Sequence, residues 1–583
     1  MDHVDINDRP WLKFYEPSVP TSFPETCTLC GDGDDGPASS LWEQFERTAH
    51  AWPDSIAIVF EGTSLTYRQL KALTDQFAVA LCRLGVKHGD RVVINLPNLP
   101  QTVISYYAVH RIGAIAVMAN PMYVTPELAH TFADSGAAAV ITLDAYWVHK
   151  IRRIKTSTAL RAVIVTSIAD YLPFPKKQIF PIIGKRKGVW EKVRREQGVY
   201  RFLDMVEPEE KWPDPAELPA NPGGPDDPAC LQYTGGTTGI SKGAVLTHRN
   251  LISNVHQICV WFPGLQPGKE IFMCALPFFH VFGMTVCLNT AISIGACMVL
   301  VTDPRNLKGL IGKIEKLRPT LFPAVPALFE GINRFPGIDR RDLSSIRGCF
   351  SGSAPLSLEV MSRFEALTGA RITEGFGLTE SSPVTHVNPL FGLRKEGSIG
   401  VPMPGTDARV VDLETGLVDL PVGEPGELII RGPQVMKEYW NQPEETAIAL
   451  RDGWLYTGDI ATMDQDGYFF IVGRKKEMII AGGYNIYPRE IDEVLYMHPE
   501  IQEAAVVGMP DQHRGETVWA FVVLKPGATL TAESVERWCA KYLARYKIPR
   551  RVIFRDSLPR TTVGKVLRRE LKEIGLEMMK SEQ

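Results

Sequence analysis

Apolar and polar positions change their pattern along the chain. In its earlier part, short apolar runs such as residues 91–95, 138–142 and 162–165 have the composition of buried strands, and the longer segments between them have helical spacing. Strands that alternate with helices in this way predict layered α/β subdomains with a largely parallel sheet. Residues 401–473 change to short strands with turn signals such as Val-Gly-Glu-Pro-Gly at 422–426, which predicts a small β-rich subdomain.

The pattern changes again after that subdomain. Strand-like runs at 504–507 and 519–524 enclose a loop, and helical spacing follows over residues 532–546. This mixture predicts a small α+β C-terminal domain. A chain of 583 residues is too long for one compact core, so at least two domains are expected in any case.

The first 36 residues are polar and rich in proline, which is typical of an extended or partly disordered arm. Residues 209–228 contain six prolines and form a linker-like loop. We therefore expect an arm over residues 1–36, a large N-terminal domain over 37–473 and a C-terminal domain over 474–583.

Composition places the chain among ordinary globular proteins, because 45% of its residues are apolar and 22% are charged. The net charge of −4 gives no signature of nucleic-acid binding. Ten cysteines in a chain of this length are not a disulfide scaffold, and reduced thiols are expected. Cys27 and Cys30 form a Cys-x-x-Cys pair, which without a visible second pair is weak evidence for a zinc site.

Two observations bear on membranes and location. The N-terminus carries acids and lacks the cationic and then apolar pattern of a signal peptide, so we expect a cytoplasmic protein. Residues 271–302 contain no Asp, Glu, Lys or Arg, and an uncharged segment of that length could span a membrane. Because His280, Asn289 and several small polar residues lie inside it, we favour a buried strand–helix–strand segment instead.

A different segment has the composition of a membrane-surface contact. Residues 176–195 contain eight basic residues and one acid, with Phe180, Ile182, Ile183 and Trp190 among them. Such a segment can lie on the anionic inner face of a membrane, and the alternative is a solvated surface insertion.

Residues 233–243 form the most informative segment of the chain. Their sequence, Tyr-Thr-Gly-Gly-Thr-Thr-Gly-Ile-Ser-Lys-Gly, follows a short apolar run that is typical of a buried strand. Glycines let the backbone turn and present N–H groups to an anion, while threonine hydroxyls and a lysine bind phosphate oxygens. This order indicates a nucleotide phosphate loop, although not a Walker loop, and the alternative is a flexible surface loop. The candidate residues are Thr234, Gly235, Gly236, Thr237, Thr238, Gly239 and Lys242.

Further motifs follow this loop, and together they resemble the adenylate-forming superfamily of acyl-CoA synthetases, luciferases and peptide-synthetase adenylation domains. The resemblance runs from about residue 40 to the C-terminus. Within the superfamily, the chain is most similar to bacterial long-chain fatty-acid–CoA ligases. The matching motifs occupy residues 278–280, 351–355, 374–380, 453–459, 473–476, 482–488 and 558–565.

The resemblance implies a reaction in two steps that uses ATP, Mg²⁺ and coenzyme A. A carboxylate first attacks the α-phosphate of ATP, which gives an acyl-adenylate and pyrophosphate. The thiol of coenzyme A then attacks the acyl carbon and releases AMP. Because the first step gathers anions at one point, charge neutralisation and in-line positioning are expected to supply most of the catalysis.

The residues matched to the phosphates and the metal are polar or charged. They are Thr234, Thr237, Thr238 and Lys242 around the β- and γ-phosphates, Glu380 with Thr238 at Mg²⁺, and Thr379 as a donor to the α-phosphate. A single carboxylate suits Mg²⁺, which keeps several waters. The alternative for the Thr-Glu pair is a helix cap.

The adenosine end is matched by small residues and one carboxylate. Asp459 matches the acceptor of both ribose hydroxyls, with Arg474 as its cationic partner, and the alternative is a turn aspartate. The superfamily usually has tyrosine where this chain has Phe376, which keeps the stacking face and lacks the hydroxyl. The other matched positions are Gly352, Ser353, Ala354, Glu374, Gly375 and Gly377.

Two residues are matched to the reacting carboxylate. His280 matches a histidine at the mouth of the acyl pocket, where the alternative is a satisfied core histidine. Lys565 matches the lysine that bridges the carboxylate and the α-phosphate, where the alternative is a surface lysine. Since Lys565 belongs to the C-terminal domain, the resemblance implies a mobile domain that closes for the first step. It then rotates about a hinge at Lys476, within 474–477, so that coenzyme A enters along Gly482, Gly483 and Tyr484.

These observations predict an ATP-dependent ligase for a medium- to long-chain fatty acid, with an apolar tunnel lined by Phe279, Phe282, Val325 and Phe376. No cation in the motifs would pair with a second substrate charge, which argues against amino acids. The alternatives are a ligase for an aryl or branched acid, an enzyme that loads a carrier protein, and a lipid-surface binding protein without catalysis. The sequence leaves the oligomeric state open, with a dimer as one option.

Overall fold

The computed structural model describes residues 9–23, 26–30, 36–206, 218, 222–234, 241–561 and 564–581. Its α-helices are α1 Leu41–Ala51, α2 Tyr67–Arg83, α3 Pro100–Arg111, α4 Thr125–Ser135, α5 Asp144–His149, α6 Lys176–Arg186, α7 Phe202–Val206, α8 His248–Trp261, α9 Thr290–Ser293, α10 Leu307–Leu317, α11 Pro326–Asn333, α12 Leu358–Thr368, α13 Pro443–Ala449, α14 Pro488–Tyr496, α15 Ala532–Cys539 and α16 Arg568–Ser581. Its strands are β1 Ile56–Phe60, β2 Thr63–Thr66, β3 Arg91–Asn95, β4 Ile115–Met118, β5 Ala139–Leu143, β6 Ala162–Thr166, β7 Val199–Arg201, β8 Pro228–Tyr233, β9 Gly243–Thr247, β10 Ile271–Cys274, β11 Cys297–Leu300, β12 Gly348–Ser351, β13 Arg371–Gly377, β14 Val384–Val387, β15 Val401–Pro402, β16 Asp407–Val411, β17 Gly426–Arg431, β18 Glu438–Tyr439, β19 Leu450–Arg451, β20 Trp454–Met463, β21 Phe469–Arg474, β22 Ile479–Ala481, β23 Tyr484–Ile486, β24 Ile501–Asp511, β25 Gly515–Leu524 and β26 Arg551–Phe554.

The sheet that carries the phosphate segment has the strand order β18-β9-β8-β4-β3-β5-β6-β7. Pairing is parallel from β8 to β7 along this order and antiparallel where β9 joins β8 and β18 joins β9. The runs predicted at 91–95, 138–142 and 162–165 are β3, β5 and β6. The prediction of a largely parallel sheet is confirmed, since apolar runs covered on both faces suit parallel pairing.

A second sheet, in the order β10-β11-β1-β2, contains the uncharged segment at 271–302. That segment folds as β10, a π-helix at Gly283–Asn289, α9 and β11, with parallel pairing between β10 and β11. The predicted buried strand–helix–strand segment is therefore confirmed. Among the residues that the structure describes, no helix is both long and apolar enough to cross a bilayer.

Helix α8 begins directly after β9 because its sequence provides a capping box. The Thr247 hydroxyl accepts a hydrogen bond from the Asn250 backbone N–H at 3.1 Å, and the Asn250 side chain accepts one from the Thr247 N–H at 2.9 Å. These bonds satisfy backbone N–H groups that have no acceptor within the helix at its N-terminus. From this start, α8 runs through the core, and its Asn254 side chain holds β14 through the backbone of Val384.

The β-rich subdomain is also confirmed. Strands β16, β17, β20 and β19 form one antiparallel sheet, and β21 pairs with β20. In the register of β20 with β21, Asp459 stands opposite Arg474. The subdomain thus brings two of the predicted site residues together through backbone pairing alone.

The C-terminal domain has a sheet of its own, ordered β23-β22-β25-β24 with β26 parallel to β25, and helices α14, α15 and α16. The helix predicted over 532–546 was too long, because α15 ends at Cys539. Beyond it the chain enters turns, with the Leu543 and Lys547 N–H groups bonding to Cys539 and Ala544 carbonyls, and then leads into β26.

The described part of the N-terminal arm is packed against the large domain. Trp11 is 1% exposed and its ring contacts Phe469 at 6.2 Å between centroids. Tyr15 contacts the ring of Trp261 on α8 at 5.1 Å. Burying such large rings offsets the entropy of ordering a polar, proline-rich segment, and composition alone misses that contribution.

Candidate active site

A cleft of about 3170 Å³ lies between the large domain and the C-terminal domain. Most of the described candidate residues line it: Thr234, Lys242, Phe279, His280, Phe282, Val325, Gly352, Ser353, Ala354, Glu374, Gly375, Phe376, Gly377, Thr379, Glu380, Asp459, Arg474, Lys476 and Lys565. Candidates Gly235, Gly236, Thr237, Thr238 and Gly239 lie outside the described residues. Within the described part of the chain, Gly482, Gly483 and Tyr484 are not among the residues that line this cleft.

The two ends of the phosphate loop are held together by strand pairing. Because β8 and β9 are antiparallel, Tyr233 stands opposite Gly243, and the Thr234 N–H donates to the Lys242 carbonyl at 2.9 Å. The Tyr233 hydroxyl donates to Asp134 at 2.6 Å, which fixes the end of β8 to α4. Thr234 and Lys242 therefore lie side by side, and both line the cleft.

Lys242 and Glu380 are connected through two residues that sequence reasoning missed. The Lys242 ammonium forms an ion pair with Glu445 and lies 5.1 Å from the ring centroid of Tyr439. The Tyr439 hydroxyl donates to Glu380 Oε1 at 2.7 Å. Glu445 thus neutralises the Lys242 ammonium, and Tyr439 holds one oxygen of Glu380 in place.

The Thr379–Glu380 pair sits in a turn whose position depends on Gly377. A Cβ atom at Gly377 would lie 2.1 Å from the Pro383 carbonyl oxygen. The same carbonyl accepts a hydrogen bond from the Leu378 N–H at 3.1 Å. Only glycine permits this close approach, which places Thr379 and Glu380 directly after β13 at the cleft.

Asp459 is a buried carboxylate with one engaged oxygen. Its side chain is 3% exposed, and Oδ1 forms an ion pair with Arg474 Nε at 2.9 Å. Among the described residues, Oδ2 has no hydrogen-bond partner. Burial raises the pKa of Asp459, and the charges of Arg474 and Lys565 lower it. A buried carboxylate oxygen with free lone pairs is suited to accept hydroxyl donors of a ligand.

Lys565 reaches the cleft from the C-terminal domain. The Thr561 N–H donates to the Lys565 carbonyl at 2.8 Å, and the Lys565 N–H donates to the Thr561 hydroxyl at 3.1 Å. The pKa of Lys565 is lowered to about 8, mainly by burial and also by the charge of Arg474, while Asp459 acts in the opposite direction. The ammonium thus lies within electrostatic reach of the Asp459–Arg474 pair on the other domain.

Small residues and one aromatic ring form the wall beside this pair. Ser353 adopts a left-handed backbone with φ of 73°, and a Cβ at Gly352 would meet the Phe282 ring at 3.2 Å. Burial raises the pKa of Glu374 to about 7, and its Oε1 accepts the Leu356 N–H at 2.9 Å. The backbone at Gly352 is thus closely packed against the Phe282 ring.

His280 and the aromatic candidates line the part of the cleft beyond this wall. Burial lowers the pKa of His280 to about 4, so the imidazole is neutral at pH 7. Its Nδ1 accepts the Phe282 N–H at 3.2 Å, which orients the ring. Gln232 on β8 donates to the Phe279 carbonyl at 2.7 Å and so links this region to the phosphate strand.

The segment between the domains is anchored on both sides of Lys476. Lys475 pairs with Glu427 of the large domain at 2.8 Å, whereas Glu477 pairs with Arg568 of the C-terminal domain at 3.0 Å. Arg568 also pairs with Asp492 on α14. Lys476 therefore stands between a contact to one domain and a contact to the other.

Comparison with known proteins shows which family this site belongs to. The family model described as AMP-binding enzyme matches residues 45–440, and the one described as AMP-binding enzyme C-terminal domain matches residues 490–565. The chain belongs to the AMP-binding enzyme family. The cleft thus lies between the two regions that the AMP-binding family models match.

Individual relatives match this AMP-binding enzyme over nearly its whole length. A long-chain-fatty-acid–CoA ligase of Bacillus subtilis (strain 168) is 44% identical over 571 residues, which cover 97% of this chain and 98% of that protein. The solved structure of ATP-bound MatB from Rhodopseudomonas palustris is 30% identical with a TM-score of 0.78, covering 92% of this chain and 99% of that chain. The anthranilate CoA ligase AuaEII in complex with anthranoyl-AMP is 27% identical with a TM-score of 0.81, covering 94% and 99% respectively.

Several residues of this AMP-binding enzyme's cleft escaped sequence reasoning. Tyr439 and Glu445 reach Glu380 and Lys242 from distant positions, because β18 pairs with β9 just after the phosphate loop. Glu427 escaped for the same reason, since only folding brings it beside Lys475. Tyr439, Glu445 and Glu427 lie outside the motifs identified in the sequence, so no local pattern indicated them.

The close approach at Gly377 provides a direct test of the turn that carries Thr379 and Glu380. Gly377→Ala is expected to displace this turn and to lower fatty-acid-dependent ATP–pyrophosphate exchange by about 10²-fold, as for an ångström-scale misplacement. Gly312→Ala is the matched control, since a Cβ there meets open space on α10. The control is expected to keep the exchange rate and the thermal midpoint. Exchange by Gly377→Ala at the parent rate would contradict this role of the turn.

Proposed function

We propose that this protein ligates a medium- to long-chain fatty acid to coenzyme A, in an ATP-dependent reaction through an acyl-adenylate that releases AMP and pyrophosphate. The observation that carries the proposal is the meeting of Asp459, Arg474 and Lys565 across the cleft. A buried carboxylate with a free oxygen and a cation from a second domain suit a nucleotide that reacts at its α-phosphate. Similarity to a long-chain-fatty-acid–CoA ligase supports the acyl substrate.

Asp459 is proposed to hold the ribose. Its Oδ2 is buried and has no partner among the described residues, so two adjacent ribose hydroxyls would satisfy it. Arg474 keeps the carboxylate charged by pairing with Oδ1. Phe376 and the residues at 352–354 and 374–377 are proposed to form the adenine wall, with Phe376 supplying a stacking face.

The phosphate end is proposed to depend on an exchange of partners. Lys242 leaves Glu445 for the β- and γ-phosphates, together with the threonines of the phosphate loop. Glu380 is held by Tyr439 through one oxygen, which leaves the second to serve a hard cation with several waters, as Mg²⁺ requires. Bound there, Mg²⁺ would neutralise phosphate charge, and Thr379 would donate to the α-phosphate.

Lys565 is proposed to bring the fatty-acid carboxylate and the α-phosphate together. Two anions that must touch repel each other, and one ammonium between them lowers that barrier. His280 is neutral at pH 7 and acts by orienting the carboxylate rather than by donating charge. The acyl chain would then extend between Phe279, Phe282 and Val325, all of which line the cleft.

The second step is proposed to require a different arrangement of the domains. Gly482, Gly483 and Tyr484, proposed as the thiol tunnel, stand outside the lining of the cleft, where the Tyr484 ring stacks on Tyr546 at 4.4 Å. Rotation about Lys476 would carry Lys565 away and bring these residues to the acyl carbon. Lys475 pairs with the large domain and Glu477 with the C-terminal domain, so Lys476 lies at the boundary between them, as a hinge requires.

The protein is further proposed to contact anionic membranes from the cytoplasmic side. Residues 176–186 form α6, on which Ile179, Ile182 and Ile183 are 47%, 63% and 48% exposed. Phe174 just before the helix is 82% exposed. Exposed apolar side chains beside basic residues suit an interfacial contact that would give the enzyme access to lipid-derived acids.

Chain length tests the substrate. Each buried CH₂ contributes about 0.8 kcal/mol in an apolar tunnel, so kcat/KM should rise with acyl length until the tunnel is full. The measurement is AMP release with coenzyme A present, for a series of acids from acetate to palmitate, with benzoate and anthranilate included. Acetate or an aryl acid outcompeting decanoate and palmitate would overturn the fatty-acid substrate, and AMP release without free acyl-CoA would favour a carrier-loading enzyme.

The pH dependence tests Lys565. Because its pKa is lowered to about 8, the ammonium is present below that pH and is lost as pH rises through it. The kcat/KM for ATP–pyrophosphate exchange should therefore fall about tenfold for each pH unit above 8. Lys565→Arg keeps its charge and should move this fall in kcat/KM to higher pH. Lys565→Ala should have a low kcat/KM that does not change across this pH range. An unchanged alkaline fall in both variants would assign it to another group.

Salt dependence tests the membrane contact. Binding to phosphatidylserine vesicles should weaken as salt rises, because it depends on screened charges. Lys185→Glu with Arg186→Glu should weaken it by roughly 30-fold or more, at about 1 kcal/mol for each cation removed. Lys308→Glu with Lys316→Glu, on exposed positions of α10, is the matched control and should bind as the parent does. Equal loss in both double variants would contradict a contact through α6.

A further inference from the structure

Three buried thiols meet where the N-terminal arm joins α8. Cys27, Cys30 and Cys259 are 3%, 1% and 0% exposed. Their sulfur atoms all lie within 4.8 Å of one another, and the Cys30 and Cys259 sulfurs are 3.4 Å apart. Among the described residues, this is the one group of His, Cys, Asp and Glu side chains so arranged.

The cluster supplies the second half-site that the Cys-x-x-Cys pair lacks in the sequence. The Cys30 N–H donates to the Cys27 carbonyl at 2.8 Å, so the backbone turns and both thiols face α8. Cys259 lies on α8, 229 positions after Cys30 in the chain. His256 stands three residues before it, on the same helix face, and is 1% exposed.

The geometry points to a metal ion rather than to a redox pair. Sulfurs bound at about 2.3 Å to a tetrahedral zinc ion are about 3.8 Å apart, which lies within the range seen here. Three thiols cannot all pair as disulfides, so one would remain buried without a partner. A zinc ion takes all three after each has lost its proton. It accepts one further donor, and His256, three residues before Cys259 on α8, is the candidate.

We propose that Cys27, Cys30 and Cys259 hold a structural zinc ion that fastens the N-terminal arm to α8. This helix directly follows β9 and the phosphate loop, and its Gln257 side chain donates to the Pro404 carbonyl at 2.8 Å. A metal bound to Cys259 would therefore tie the arm to the helix that follows the phosphate loop and β9. No catalytic step passes through the ion, because the cluster does not line the cleft in the described part of the chain.

Metal analysis of the full-length protein tests this site. Inductively coupled plasma mass spectrometry of protein purified under reducing conditions should find about one zinc ion per chain. Exchange with Co²⁺ alone should give the strong thiolate-to-cobalt absorption of a tetrahedral site. Cys259→Ser, and separately Cys27→Ser with Cys30→Ser, should lose the zinc and lower the thermal midpoint. Cys82→Ser removes a thiol outside the cluster and should keep both.

Two results would overturn the proposal, and neither needs a variant that folds. One is parent protein that holds no zinc and gives no thiolate absorption with Co²⁺. The other is an intact mass that shows a disulfide within the cluster in reduced preparations. Zinc released in step with thiol modification of the parent protein would support the site even if the serine variants failed to fold.

Discussion

The ion pair between Asp459 and Arg474 is the contact on which the rest of the cleft depends. The backbone register between β20 and β21 places the two residues directly opposite each other. Arg474 holds one carboxylate oxygen and keeps the charge in a buried place, which leaves the other oxygen for a ligand. Breaking such a pair leaves an uncompensated buried charge, so the site and the local fold are secured by one interaction.

That pair also reaches the second domain. Arg474 is the last residue of β21, and the chain passes from it through Lys475, Lys476 and Glu477 into the C-terminal domain. Lys475 pairs with one domain and Glu477 with the other, so Lys476 lies at the boundary between them. In this arrangement Lys565 and Asp459 line the same cleft, which suits the proposed meeting of two anions, whereas the glycines at 482–483 lie outside its lining.

Much of this follows from the sequence, because the information is local. The strands at 91–95 and 162–165 are continuous apolar runs. Gly377 stands in one continuous motif, at residues 374–380. The partners that escaped prediction are joined only by folding, as Tyr439 is to Glu380 and Cys259 is to Cys30. The packing of the arm also escaped prediction, because its polar composition hides the ring contacts of Trp11 and Tyr15 with the large domain.

The most direct measurement separates the two half-reactions in two variants. Lys565→Ala should slow acyl-adenylate formation by about 10²-fold or more. Given preformed acyl-adenylate and coenzyme A, the same variant should make acyl-CoA near the parent rate. Gly483→Leu should show the reverse, since its side chain would obstruct the thiol path and spare the phosphate site. Equal impairment of both halves by Lys565→Ala would contradict a domain that moves Lys565 in for the first step and away for the second.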